Sequence, residues 1–434
     1  MTPGAPPSLA RRLLRGAGTV FAVQVAGTAL GYLGQLALAR WLGVSGYGRF
    51  AYVHTWSLLL ANLAGLGLTP AALRFLPTYI ERGEGRRYAR FLAQACGWAL
   101  GLSLLIALAI LALARAGALG QYSEAWLAGA WLVPVFAMMN LHTQEGRTQG
   151  RLVLAMAPPN LLKYALLILS AGALLAVTGG PSARQLLAVF AGSMALLVLG
   201  QGLALRRSRA ALPDGESAAG LLGEWMRVGT PLLLILVFMN LMAQADVLLV
   251  GSMLGDDAVG VYNAASRTAA TVGFALFAVN AAAAPSLAAL HATGRREELA
   301  RLLAATSRWT FWPALAIALG FALAGKVVLG FFGAEFTRAY LPLLILCGGQ
   351  LAAASVGLAG SLLNLTGHER LSASLLAGAA ALNLLLNGML IPRFGLPGAA
   401  VATTAALVVW SLALRVAARR RLGFDPFVLA GRSS

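Results

Sequence analysis

The chain has 434 residues, of which 59% are hydrophobic and 11% charged, with a formal net charge of +18. A soluble domain keeps roughly 25% charged residues to hydrate its surface, so this composition excludes a soluble globular protein and makes lipid the solvent. The two cysteines, Cys96 and Cys347, sit in apolar runs and give no disulfide or metal-binding spacing.

A bilayer core of about 30 Å takes roughly twenty apolar residues of helix. Windows of that kind follow one another: Gly16–Ala39, Phe50–Leu73, Phe91–Ala114, Ala125–Gln144, Leu152–Ala183 around Lys163, and Gln185–Leu205. The second half continues with Val228–Gly255 around Asp246, Thr268–Gly294, Trp309–Ala334 around Lys326, Ala339–Gly367, Leu371–Pro392 and Phe394–Leu414. These Leu/Ala runs lack the alternation of a barrel strand, and backbone in lipid must bond within its own segment. The expected class is therefore all-α integral membrane, with about 12 transmembrane helices. The first window follows Arg11, Arg12 and Arg15 and exceeds the apolar stretch of a signal peptide, about 7–15 residues, so it reads as a retained span.

Basic residues set the orientation. With a cytoplasmic N-terminus and alternating spans, 25 of the 33 Lys and Arg residues fall on the cytoplasmic side, 7 fall outside, and Arg267 lies within a span. Both termini are thus expected in the cytoplasm. The positive charge is explained by topology and anionic headgroups, without nucleic acid.

The two halves echo one another. Trp41-Leu42-Gly43-Val44-Ser45-Gly46-Tyr47-Gly48-Arg49-Phe50 matches Leu254-Gly255-Asp256-Asp257-Ala258-Val259-Gly260-Val261-Tyr262, each read as a helix end, a Gly-containing turn and a new helix. A proline follows in both, Pro70 and Pro285, and then a basic loop around Arg86-Arg87 and Arg295-Arg296. The offset is 212 from Arg15 to Arg227 and from Gly48 to Gly260, 209 from Arg86 to Arg295, and 211 from Arg90 to Arg301. Six helices per half put both halves the same way up, a parallel repeat about an axis along the membrane normal. The expected organisation is a cytoplasmic N-terminus (1–15), an N-lobe of helices 1–6 (16–205), a cytoplasmic linker (206–226) containing Pro213-Asp214-Gly215-Glu216-Ser217, a C-lobe of helices 7–12 (227–417), and a cytoplasmic tail (418–434). Two six-helix lobes facing across a cleft suit an alternating-access carrier.

Leu42–Phe50 is similar to the first-loop pattern of bacterial O-antigen-type polysaccharide flippases of the multidrug/oligosaccharidyl-lipid/polysaccharide exporter superfamily. So are Ala245–Gly251 with Val259–Ala265, and Gly367-His368-Glu369-Arg370 followed by Asn383, Asn387 and Ile391–Thr403, the most specific stretch. The resemblance covers most of the chain. It implies a MATE-like fold and movement of a polyprenyl-diphosphate-linked oligosaccharide across the bacterial inner membrane, with other polysaccharide-assembly membrane proteins as partners. Twelve spans argue against the fourteen-helix lipid II flippases, and the chain departs from many relatives in having almost no Lys.

Among the polar residues inside spans, Asp246 is the only deep carboxylate. An intramembrane acid costs a few kcal/mol, so it is expected in a wet cavity or against a partner, as a coupling site for H⁺ or Na⁺. The structural alternative is a solvated cap at an early helix end. Arg267 has three readings: a bidentate anchor for the diphosphate, an ion pair with Asp246, or a side chain reaching the headgroups. Arg74 and Lys163 are candidates for the anionic route, against plain positive-inside anchoring. Asn240 and Asn383, with Gln24, Gln35, Asn62, Asn140, Gln244, Asn280 and Asn387, suit either interhelical hydrogen bonds or sugar hydroxyls. Trp41, Trp56, Trp98, Trp126, Trp131, Trp309 and Trp312 fall near span ends, as an interfacial belt does.

No catalytic constellation, metal-ligand spacing or cofactor motif emerges. A membrane-embedded polysaccharide polymerase would need a large external loop, and here every external loop is short. A multidrug exporter of the same superfamily is the stronger rival, but hydrophobic cations favour an acidic cleft rather than arginines and a single Asp.

Overall fold

The computed structural model describes residues 9–208, 221–293, 295–423 and 425–428. The expected linker 206–226 lies outside the described residues over 209–220, as do residues 1–8 of the N-terminal segment and 429–434 of the tail. Every regular element among the described residues is helical.

Leu- and Ala-rich segments favour helix, and glycines and prolines decide where each helix bends or stops. Helix α1 (Leu9–Ala64) is broken only at Gly43, with φ 68° and ψ 179°, and α2 (Leu68–Arg82) completes its second span. Next come α3 (Gly85–Arg115), α4 (Ser123–Gly129) and α5 (Leu132–Thr148). The segments Gly120–Gly129 and Leu132–Thr148 meet at a 51° bend. Helix α6 (Leu152–Ala157) passes through a π-helical turn, Pro158–Leu162, into α7 (Lys163–Thr178), and α8 (Ala183–Ser208) follows. Proline cannot supply the amide that a regular turn needs, which accounts for the widened turn.

The later elements are α9 (Leu222–Leu254), α10 (Asp256–Ala270), α11 (Phe274–Ala292) and α12 (Arg296–Gly330). They end with α13 (Tyr340–Val356), α14 (Ala359–Leu365) and α15 (Glu369–Leu422), the last broken at Gly395 with φ 60°. Eight described helices are long and apolar enough to cross a membrane, or nine with the bent pair α4–α5 as one span. Helices α1 and α15 each hold two spans end to end, and α10 with α11 forms one more. The described helices thus supply the twelve spans expected.

Two boundaries differ from the expected ones. The turn residues Val44-Ser45 and Asp256-Asp257 are helical, because one glycine before each pair, Gly43 at φ 68° and Gly255 at φ 92°, makes the whole break. Glycine alone adopts such angles without steric cost. Helix α10 therefore starts at Asp256, and Arg267 is its twelfth residue.

Contacts divide the chain into two units, Met1–Leu42 with Val53–Val237, and Gly43–Tyr52 with Phe238–Ser434. In the first, Phe75, Tyr79, Phe91, Leu141 and Trp225 form a core on α2, α3, α5 and the start of α9. The Trp225 indole N–H donates to Tyr79 Oη at 2.9 Å, satisfying a polar atom that burial would otherwise penalise. Gly27, Gly31 and Gly34 line one face of α1 against the Asn160 backbone, the Tyr164 ring and Ile168. Small residues let helices approach this closely in lipid.

In the second unit, Thr310 of α12 donates to the Ala354 carbonyl of α13 at 2.8 Å. After α15 the chain turns back at Gly423, φ 77°. Arg415 then holds the Asp425 carboxylate by two hydrogen bonds, 2.9 and 2.8 Å, with its guanidinium over the Phe427 ring. The Arg415 hydrogen bonds keep the Asp425 carboxyl below its ordinary range.

Candidate functional site

Asp246 lies in the interior of α9, eight residues before its end, and is 3% exposed. It is no solvated cap. Its Oδ2 accepts hydrogen bonds from the Tyr262 hydroxyl of α10 at 2.7 Å and the Thr403 hydroxyl of α15 at 3.2 Å. Its Oδ1 accepts the Val247 N–H at 2.8 Å. Thr403 in turn accepts from Asn383 Nδ2 at 3.2 Å, and Asn387 Nδ2 donates to Asn383 Oδ1 at 3.2 Å. All five side chains are buried. The residues read from sequence as an ion site and a sugar contact, Asp246 and Asn383, thus belong to one polar cluster of the second unit.

Local sequence explains the arrangement. Asn383 and Asn387 are four apart on α15, so they share a helix face. The break at Gly395 lets the second half of the same element bring Thr403 against that face. Donors converge on a carboxylate whose only described partners are neutral. Such a cluster gathers carboxylate, hydroxyl and amide oxygens that can accept a proton or a small cation.

Arg267 is half-buried on α10, and its Nη2 donates to Gln244 Oε1 at 3.2 Å. Its described partner is thus an amide two residues from Asp246 rather than the carboxylate. Asn240 is half-buried six residues before Asp246, about 9 Å along α9 at the helical rise. The other two candidates belong to the first unit. Lys163 opens α7 directly after the π-helical turn and is buried, with its Nζ 4.6 Å from the Tyr164 ring centre. Arg74 is exposed on α2.

The sequence reading did not single out Tyr262 and Thr403 as functional. Tyr262 appeared there as part of a turn motif, and Thr403 as the last residue of a resembling stretch. The Asn383/Asn387 spacing was the available signal. A hydroxyl becomes informative only once a carboxylate is found beside it.

A second polar contact joins the two repeat motifs. Ser45 Oγ and Arg49 Nε donate to Asp256 Oδ2 at 2.7 and 2.6 Å. Asn263 Nδ2 donates to Tyr47 Oη at 2.7 Å.

Comparison with known proteins adds a relationship to this geometry. Over 400 residues the chain is 25% identical to the probable low-salt glycan biosynthesis flippase Agl15 of Haloferax volcanii, covering 92% of this chain and 81% of that one. Its fold is similar to an inward-facing multidrug resistance MATE family transporter of the MOP superfamily, with TM-score 0.72, 17% identity, and 93% and 94% of the two chains covered. It is equally similar to the lipid II flippase MurJ in an inward closed conformation, with TM-score 0.72, 12% identity, and 92% and 87% covered. At these identities the two structures speak to fold alone. The family model described as polysaccharide biosynthesis protein matches residues 13–291, well over half of the sequence. With its helical spans and that match, the chain is a multi-pass integral membrane protein that belongs to the polysaccharide biosynthesis protein family.

Proposed function

We propose that this protein flips a polyprenyl-diphosphate-linked oligosaccharide across the bacterial inner membrane for cell-surface polysaccharide assembly. Transport proceeds by alternating access, with both termini in the cytoplasm and with Asp246 taking up the coupling cation, H⁺ or Na⁺. Family membership and the likeness to a glycan flippase support the substrate class. The observation that carries the coupling is the Asp246 cluster: one carboxylate, 3% exposed, held by hydroxyl and amide donors with no cationic partner bonded to it among the described residues. An ionisable group kept in a span at such cost marks an ion pathway.

Arg267, Lys163 and Arg74 serve the anionic diphosphate and Asn240 the sugars, while Asn383, buried and bonded to Thr403 and Asn387, supports the Asp246 cluster instead. A guanidinium binds phosphate oxygens in pairs, which a drug cation would not need. The test is depletion of the protein in its native cell. Lipid-linked oligosaccharide should then build up on the inner leaflet and surface glycan should fall. Normal surface glycan together with raised sensitivity to cationic drugs would favour drug export instead.

A further inference from the structure

A groove of about 550 Å³ opens on the first unit between the α4–α5 bend and α8. Pro134 makes the bend, because it has no N–H for the Ala130 carbonyl and its ring crowds that oxygen. The Val133 N–H takes the carbonyl instead at 3.2 Å, and the two segments meet at 51°. Leu127, Trp131 and Pro134 form one wall. Arg184, Ala188, Gly192 and Ala195 form the other, spaced four, four and three apart on one face of α8. Small residues in a span let a neighbouring helix come close. On α1 such a stripe has its neighbour, since Gly27, Gly31 and Gly34 meet Asn160, Tyr164 and Ile168. On α8 a methyl at Gly192 would meet open space among the described residues.

The mouth of the groove is charged with both signs. Arg184 Nη1 donates to Glu124 Oε2 at 2.6 Å, and the two side chains are 55% and 71% exposed. A pair this exposed adds little to stability, so it opens for a ligand at small cost. From Arg184 to Ala195 is eleven residues, about 16 Å of helix, and half of a bilayer core is about 15 Å. The groove thus runs the depth of one leaflet. We propose that it binds one phospholipid whose headgroup carries a primary ammonium. The phosphate lies on the Arg184 guanidinium, which takes its oxygens in pairs. The ammonium lies on the Glu124 carboxylate, and one acyl chain fills the apolar channel below. A lipid with a purely anionic headgroup would be repelled by Glu124. A second copy packed on the stripe would strip water from the ion pair without replacing it, which is costly. The site stands apart from the transport reading and uses none of its residues.

Lipid retention by the full-length protein is the test. Wild type and variants are placed in nanodiscs of phosphatidylethanolamine, phosphatidylcholine and phosphatidylglycerol, released into mild detergent and weighed by native mass spectrometry. Melting temperature is measured with each lipid added. Wild type should hold one phosphatidylethanolamine in preference to the other two, and that lipid should raise its melting temperature. Arg184→Gln should cut retention about fivefold, the scale of one basic residue at a membrane surface. Glu124→Lys should turn the preference towards phosphatidylglycerol. Gly192→Leu fills the groove and should abolish retention, and Ala188→Leu, at an exposed position, decides the matter if Gly192→Leu fails to fold. Equal retention of the three lipids, no retained lipid, or retention unchanged by the folded leucine variants overturns the site. So does a wild-type preference for phosphatidylglycerol, or a dimer that Gly192→Leu abolishes, which would make the groove an interface between copies.

Discussion

Gly48 and Gly260, 212 positions apart, each press against the backbone of the other repeat's motif: Gly48 against Asp256, Gly260 against Val44. Val44 and Asp256 are themselves separated by 212, so the contact is reciprocal. Duplication at the sequence level thus becomes a self-complementary joint within the second unit. Ser45 and Arg49 add a polar clasp on Asp256.

A methyl group at either glycine would overlap backbone atoms, which cannot step aside as a side chain can. Gly48→Ala and Gly260→Ala should each destabilise the protein by about 1–3 kcal/mol, as overpacking does. Gly101, whose substituent would meet open space, provides the control, and Gly101→Ala should be neutral or better. Thermal melting of the three variants in detergent checks this. Equal melting temperatures would contradict the joint.

The Arg415–Asp425 pair predicts a pH dependence of stability. The Asp425 carboxyl is held below its ordinary range by Arg415. A carboxylate of lowered pKa contributes stability above its unfolded-state pKa, and that contribution is lost as pH falls through the folded value. Asp425→Asn should therefore lower the melting temperature at neutral pH and leave the difference from wild type to vanish in acid. A gap that persists at low pH would assign the effect to packing instead.

Arg267 tests the diphosphate anchor. Arg267→Ala should abolish glycan export, while Arg267→Lys keeps part of it, because the charge survives and the planar fork does not. Protein abundance has to be measured alongside, since Arg267 also bonds Gln244. Full export by a stable Arg267→Ala protein would remove it from the substrate route.

The spans and the repeat were legible because they depend on composition and on pattern along the chain. Apolar windows of helical length follow from lipid as solvent, and the repeat from a constant offset. Asp246 was legible for the same reason, as the one acid deep in an apolar run. Its partners were not. Tyr262 and Thr403 lie 16 and 157 positions from Asp246, and only packing brings them to it. The helix starts at Val44 and Asp256 were missed because a single glycine at positive φ does the work of a loop, and the flanking residues look like turn residues.

Topology can be tested without purification. Reporter fusions after Arg87, Arg209, Arg296 and Arg420 should read cytoplasm, and fusions near Gly120 and Gly180 the outside. An external signal at Arg209 would break the twelve-span arrangement and reverse the second half of the chain.

Asp246→Asn offers the most direct test, because it keeps the shape of the side chain and removes its titration. Purified wild-type and variant proteins would be placed in proteoliposomes with a polyprenyl-diphosphate-linked oligosaccharide, and flipping followed with and without an imposed H⁺ or Na⁺ gradient. The wild type should flip the lipid faster with one of the two gradients. The variant should bind the lipid and flip it at a rate that ignores both. Equal gradient dependence in the two proteins would contradict coupling at Asp246, and no flipping by a folded wild type would contradict the transport function itself.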